Sequence, residues 1–418
     1  MAFSRTFMQL RPIIVALGRH KVATMLIVLQ VALTLAVASN ALFIVATRIV
    51  HLSRPTGTDE AHLFVIRNTW KSGQTATQVD ADIRTDLDAL RHVPGVRDVF
   101  SSEAYPLEGG GGLLVGLKLQ ADQTTRPRLA ITYFADDHAI DTFGISLVAG
   151  RNFRPDEIAA IGPYDKMAPA VVIITRSLAD KLFHDGRALG KTVYLPAGPT
   201  TIIGIVADLE GPYAGSTTRS IDEDNILVPA RYVDPDGGNV YLVRTNSTAM
   251  KPVIGAAMDV LSKRPGVRLI DPEQGVVTLS EARERGYATD RSVALLMGIL
   301  SGLLLLATAG GIVGLSSFWV SQRRRQIGVR RSLGATMGDI LRYFHLENFL
   351  IVSGGIVLGA LLAYLANIGL MNIYELPQMP FYVPLLGALL LWLLGQVAVW
   401  GPARHAARVP PVVAIRAG

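Results

Sequence analysis

The stretch "SQRRRQIGVRRSLGATMGDILRYFHLENFLI", Ser321 to Ile351, decides how the rest of the chain is read. It lies between two long apolar runs and opens with Arg323, Arg324 and Arg325. A basic triplet closing an apolar run can anchor it to anionic headgroups. That accounts for the triplet and leaves the residues after it unexplained. Ile327, Leu333, Ile340, Leu341 and Phe344 are apolar residues in a loop that would otherwise be solvated. Gly334 breaks one helix, and Thr336 with Asp339 forms a capping box that starts another. Asp339 also suits the positive end of that second helix. The reading is a short, rigid, amphipathic element next to a membrane. Such an element can lie on lipid, or its apolar knobs can enter a groove on a soluble partner.

The runs on either side support a membrane. Half the residues are hydrophobic, 18% are charged, and mean hydropathy is +0.35, a balance typical of membrane proteins. Four runs carry no charged residue: Val22–Thr47, Ser292–Gln322, Asn348–Tyr374 and Leu376–Ala403. The shortest is 26 residues, about 39 Å as a helix against a hydrocarbon core of about 30 Å. The first run, with Ala36-Val37-Ala38, also resembles a signal peptide. Its apolar stretch continues well past Ala38, which favours an uncleaved span. The last two runs are separated by Glu375, where Pro377, Pro380 and Pro384 suggest a tight exposed turn.

Charge sets the expected orientation. The N-terminus, the 323–345 segment and the tail carry thirteen Lys/Arg against one acid, Asp339, whereas Arg48 to Arg291 holds 27 basic and 31 acidic residues. The net charge of +6 therefore belongs to one side, and the positive-inside rule places both termini in the cytoplasm. These charges abut spans, so they argue for lipid bilayer contact and against nucleic acid. The expected organisation is a cytoplasmic N-terminus at 1–21, span one at 22–48 and an outer domain at 49–290. Span two comes next at 291–322, then a cytoplasmic segment at 323–345, spans three and four at 346–374 and 376–402, and a tail at 403–418.

In the outer domain strand signals alternate with helical ones, predicting an α+β fold. "HLFVIRN" (62–68), "GVRDVF" (95–100), "NVYLVRT" (239–245) and "GVRLI" (266–270) read as strands, and "KPVIGAAMDVLSK" (251–263) as a helix. Two helix exits match, "LRHVPGVRDV" (90–99) and "LSKRPGVRLI" (261–270), each stopped by Pro-Gly. They predict a duplicated strand–helix–strand unit in one lobe, about 55–106 and 226–285, with a β-rich lobe at about 107–225 between the copies.

Catalytic constellations are missing from this sequence. The eight histidines are scattered without metal-ligand spacing, and no Gly-x-Ser-x-Gly elbow occurs. "DPDGGN" (234–239) hints at a calcium loop, but Thr245 stands where a bidentate Glu is required. It reads instead as a hairpin turn. Asp222-Glu223-Asp224 reads as a solvated loop. Gly186 and Gly190-Lys191-Thr192 approach a phosphate-binding loop, yet three residues separate them where four are needed. "GKTVYLPAGPTTIIGIV" then reads as a β-hairpin.

"RRRQIGVRRSLGATMGDILRYFHLE" resembles the signature of the MacB/FtsX-like ABC permeases: basic-Ile-Gly-x-Arg, Leu-Gly-Ala, Ile-Leu, Glu. The tail "PARHAARVPPVVAIRAG" and the outer-domain runs "YFADDHAIDTFGISLVAGRNF", "VVIITRSLADKLF" and "GKTVYLPAGPTTIIGIVAD" are similar to that family as well. The resemblance covers nearly the whole chain. It implies a four-span permease with a two-lobed outer domain, non-catalytic itself and working as a dimer, either with a second copy or with a sister permease.

ATP and Mg would be bound by a separate ABC ATPase, with no cofactor or metal expected in this chain. Ile327, Gly328, Arg330, Arg331, Leu333, Gly334, Ala335, Thr336, Asp339, Ile340 and Leu341 would form its docking segment, and Arg323, Arg324 and Arg325 would orient it at the membrane. The family reading places the chain in a bacterial inner membrane and allows a periplasmic adaptor or membrane fusion protein as a further partner. Its implied function is mechanotransmission that drives efflux of a periplasmic or membrane-derived substrate. A signal transmitter regulating a periplasmic partner, and an anchored scaffold without ATPase, are the alternatives.

Overall fold

The computed structural model describes residues 21–52, 54–213, 221–263, 268–271, 274–323, 327–329, 332–374 and 378–407. The N-terminal arginines, Arg324, Arg325, Arg330, Arg331, the second Pro-Gly pair (265–266), Glu375, Leu376, Pro377 and the tail from Arg408 lie outside the described residues. The chain divides into two units, Ser53–Thr289 and the paired segments Met1–Leu52 and Asp290–Gly418.

Ser53–Thr289 is built on two sheets. In the first, β1 (Leu63–Trp70), β2 (Val96–Ser102), β11 (Asn239–Thr245) and β12 (Arg268–Leu269) lie in the order β12-β1-β11-β2, with β13 (Val276–Thr278) also paired to β1. Helix α2 (Ala76–Arg91) joins β1 to β2, and α5 (Met250–Ser262) joins β11 to β12. Each strand–helix–strand copy thus straddles a strand of the other, a double split βαβ arrangement. A Thr75–Gln78 capping box starts α2. Its Val79, Ile83 and Leu87 pack with Val253, Ala257 and Leu261 of α5 onto Phe64, Ile66, Tyr241 and Val243 of the sheet. Gly95 ends the first copy with φ of +92°, and a Cβ there would stand 2.8 Å from Val253 Cγ2. The matched exit therefore needs glycine for two reasons.

The second sheet holds β3 (Leu113–Leu117), β4 (Arg128–Ala135), β5 (Leu147–Gly150), β7 (Val171–Thr175), β9 (Gly198–Val206) and β10 (Asn225–Tyr232) in the order β3-β4-β10-β7-β9-β5. β6 (Ala159–Ile161) pairs with β10, and β8 (Thr192–Leu195) pairs with β9. The β8–β9 hairpin is the predicted one, with Leu195 opposite Gly198. Lys191 bonds Asp185 at 2.9 Å and lies over the Phe183 ring, so the near-match to a phosphate loop is a turn entering a strand. Tyr133 and Phe143 meet Leu63, Val65, Phe100 and Leu242 in a core shared by both sheets.

Three expectations about this unit need correction. β10 belongs to the second sheet, so the lobe division falls after Tyr232 rather than at 226. "DPDGGN" consequently links two different sheets and is not a hairpin turn; its Asp234 Oδ1 accepts from the Asp236 and Gly237 amides. The acidic cluster is not a solvated loop. Asp224 is fully buried, receiving Arg128, Lys181 and Ser177 at 2.6–2.8 Å, and Asp222 is buried too.

The other unit contains the helices α1 (Lys21–Leu52), α7 (Ala288–Gln322), α8 (Met337–Tyr374) and α9 (Tyr382–Ala407). Among the described residues four helices are long and apolar enough to cross a membrane. In lipid there is no hydrophobic drive between helices, so close van der Waals approach and hydrogen bonds hold them together. Gly355 and Gly359 of α8 supply the approach to α1: a Cβ at Gly355 would lie 2.7 Å from Val31 Cβ, and one at Gly359 2.8 Å from the Ala32 carbonyl. Thr34 bonds Thr308 at 2.7 Å, Gln30 donates to the Ala307 carbonyl, and Asn40 donates to that of Ala363. Arg48 pairs with Asp290.

The α8–α9 turn is not wholly exposed. Met379 is buried, with its amide donating to Asn367 at 3.0 Å. Pro384 falls in the first turn of α9, where a missing N–H costs nothing. α8 begins at Met337, so the second half of the 323–345 segment is helix continuous with span three.

In the first sheet Asp86 of α2 accepts both guanidinium arms of Arg268 and the Tyr241 hydroxyl, with both charges buried. Arg268→Ala strands that carboxylate. Unfolding of the full chain in detergent is expected to show a loss of about 3–5 kcal/mol from the outer domain.

Candidate functional site: the segment between the second and third spans

The segment is fixed at its base by charge. The Arg323 amide bonds the Trp319 carbonyl, carrying the α7 hydrogen-bond pattern one residue past Gln322. Its guanidinium Nη1 lies 3.0 Å from both oxygens of Glu347, and the side chains of the pair are 13% and 2% exposed. Tyr343 OH accepts from the same nitrogen at 3.4 Å, and the guanidinium sits over the Trp319 ring. Arg323 is thus turned into the bundle and ties the end of α7 to α8, rather than reaching lipid headgroups. The pairing escaped sequence reading because Glu347 is 24 residues away; opposite charges at the mouths of two consecutive apolar runs were the available signal.

Ile327, Gly328 and Val329 are helical. Gly334 adopts φ of +94° and turns the chain. The capping box then forms in both directions: the Asp339 amide donates to Thr336 Oγ1 at 3.2 Å, and the Thr336 amide and hydroxyl donate to Asp339 Oδ2 at 3.0 and 2.7 Å. α8 starts at once at Met337. The tip therefore has little conformational freedom.

The apolar residues divide into two sets. Ile327, Ile340 and Phe344 are buried with Trp319, Val320 and Ile351 of the bundle, and Leu341 is partly buried beside them. Gly328 is buried as well. These side chains seat the segment and do not face outward. Leu333 does: it is 82% exposed. Val329 and Met337, not singled out from sequence, are exposed as well; Val329 lies one helical turn before Leu333, whose amide bonds its carbonyl. Gly334, Thr336 and Asp339 are exposed and Ala335 half-buried. Arg330 and Arg331 lie outside the described residues. Among the described residues the arrangement is a capped, glycine-turned tip that presents Leu333 outward.

Family models match both parts of the chain. The MacB-like periplasmic core domain matches residues 25–260, and the FtsX-like permease C-terminal region matches residues 298–411, which include this segment. The chain belongs to the MacB/FtsX-like family of ABC transporter permeases. It is a membrane protein with a large α+β extracytoplasmic domain.

The macrolide export ATP-binding/permease protein MacB 1/2 of Paracoccus denitrificans is 26% identical over 374 residues, 87% of this chain and 51% of that protein, so the chain spans about half its length. The uncharacterized ABC transporter permease YknZ of Bacillus subtilis is 22% identical over 371 residues, 87% of this chain and 86% of that one. Two solved structures are also similar. The extracellular domain of YknZ gives a TM-score of 0.30 at 18% identity, covering 51% of this chain and 97% of its own. The periplasmic region of MacB from Actinobacillus actinomycetemcomitans gives 0.31 at 16%, covering 51% and 88%. Scores this low add nothing to the fold assignment.

Glu347→Gln leaves Arg323 buried without its carboxylate. Thermal unfolding in detergent is expected to register a loss of about 3–5 kcal/mol, while the double change Arg323→Met with Glu347→Leu recovers most of it.

Proposed function

We propose that this chain is the permease subunit of an ABC transporter, and that the Val329–Leu333–Met337 knob docks into an apolar groove on a separate ATPase chain. ATP is bound there with its Mg and hydrolysed. Closure of two ATPases displaces the knobs of two permease copies, and the helices carry the movement to the outer domains. The outcome we favour is efflux of a periplasmic or membrane-derived substrate, with both termini in the cytoplasm and the bilayer as the inner membrane.

The observation that carries this reading is Leu333 itself. A leucine 82% exposed on a capped, glycine-turned tip gains about 1.5–3 kcal/mol on full burial. A flexible loop would spend that gain on ordering the chain, and this tip is already ordered. The inward-facing Ile327 and Ile340 support the mechanism from the other side, because they join the knob to the bundle that must move.

The test is Leu333→Asp in the full chain, purified in gentle detergent from its native membrane. The variant is expected to insert normally and to lose at least tenfold in co-purified ATPase, since a carboxylate would enter an apolar groove. Unchanged co-purification would remove the docking role from this segment.

A further inference from the structure

A cleft of about 490 Å³ opens between the two sheets of the outer domain, lined by Arg67, Glu103, Phe134, Tyr232 and Val240 among others. Its size is that of a small-molecule site. The charge on its walls is uneven: four carboxylates, Glu103, Glu108, Asp165 and Asp234, face one cation, Arg67, among the described lining residues. Arg67 is already engaged. Its guanidinium bonds Glu108 at 2.8 Å and the Tyr105 hydroxyl at 2.9 Å, and lies over the Tyr105 ring. What Arg67 does not offset is therefore negative.

Buried polar atoms on its walls are also unsatisfied: both side-chain atoms of Asn68, Asn239 Oδ1 and one oxygen of Glu103. Glu103 Oε2 accepts from the Phe134 amide and the Ser102 hydroxyl, but Oε1 is sealed from solvent with no hydrogen-bond partner among the described residues. An orphaned carboxyl oxygen on a cavity wall costs free energy until a donor reaches it. Beside it Phe134 and Tyr232 stack at 5.4 Å, and Ile161, Met167 and Leu113 extend the apolar wall. Carboxylates set against aromatic rings are the chemistry that holds an organic ammonium.

We propose that this cleft binds an organic cation with an apolar body, the Glu103 side chain turning its sealed oxygen into the cleft to accept from the ammonium, the body lying against Phe134 and Tyr232, and Asp165 and Asp234 adding negative potential at the rim. The proposal is independent of how the chain is coupled to ATP. Burial pushes the Glu103 carboxyl up to about 8, so the empty cleft holds a proton there at neutral pH and an arriving ammonium exchanges for it. The other titratable groups bearing on that carboxyl are Glu108 after β2, Tyr133 on β4 and Tyr232 on β10. Burial holds Glu108 up to about 7 and raises both tyrosines, so toward pH 6 both glutamates take up protons and the site loses part of its negative charge. Affinity for a cation is thus expected to rise with pH through this range.

The experiment is calorimetric titration of the detergent-solubilised full chain with three probes of one shape: 4-phenylbutylamine, 4-phenylbutanol and 4-phenylbutyrate. The amine is expected to bind at least tenfold tighter than the neutral and anionic probes, and roughly tenfold tighter at pH 7 than at pH 6. Glu103→Gln is expected to lose at least tenfold for the amine and to flatten most of that pH dependence. Asp165→Asn with Asp234→Asn, whose amide oxygens keep the turn hydrogen bonds, weakens the amine severalfold and guards against misfolding of the Glu103 variant. Equal binding of the three probes, or native amine affinity in a folded Glu103→Gln chain, overturns the proposal.

Discussion

The pairing of Arg323 with Glu347 is the interaction on which the membrane unit's mechanical reading depends. Two charges removed from water are expensive, and their mutual attraction offsets that cost only in good geometry with further partners. Here the geometry is met by two carboxylate oxygens at equal distance, and Tyr343 and Trp319 supply the additional contacts. The pair does more than satisfy itself. It joins the end of one span to the third turn of α8, at the base of a segment whose tip is fixed by its own glycine turn and capping box. The glycine turn and capping box lead straight into α8, so the tip is joined to that helix without an intervening loop.

The spans touch closely. Gly355 and Gly359 bring α8 against α1 with no room for a side chain, and bonds such as Thr34 to Thr308 add direction to a contact that lipid alone would leave slippery. The outer domain obeys a different logic, that of a water-soluble fold. Its two sheets share one core, and buried charge is handled by dense pairing, as at Asp224 with its three donors and Asp86 with Arg268 and Tyr241. Glu103 differs from these two in keeping one buried oxygen without a hydrogen-bond partner among the described residues, in the wall of the cleft.

Much of this was legible in the sequence, and what was legible was local. Charge-free runs longer than the bilayer is thick gave the spans, strand signals gave Asn239–Thr245 to the residue, and Thr336 with Asp339 gave the start of α8. What failed to show was non-local. Asp224 read as solvated because its donors sit 43 to 96 residues away. "DPDGGN" read as a hairpin because nothing in a six-residue turn tells which sheet each flanking strand will join. Ile327 and Ile340 looked like outward knobs because a short segment's hydrophobic pattern identifies its apolar residues without saying which ones the bundle claims. The family resemblance singled out the segment but could not sort its two faces.

The central claim is that movement at the cytoplasmic knob reaches the outer domain, and the chain's lack of cysteine makes a direct measurement practical. A single cysteine placed at exposed Tyr164 of the outer domain and spin-labelled reports the distance between two permease copies in the ATPase-bound complex. Trapping that complex with ATP and vanadate is predicted to shift the distance distribution by several ångströms relative to the nucleotide-free state. An unchanged distribution in a complex that hydrolyses ATP at its normal rate would contradict the account.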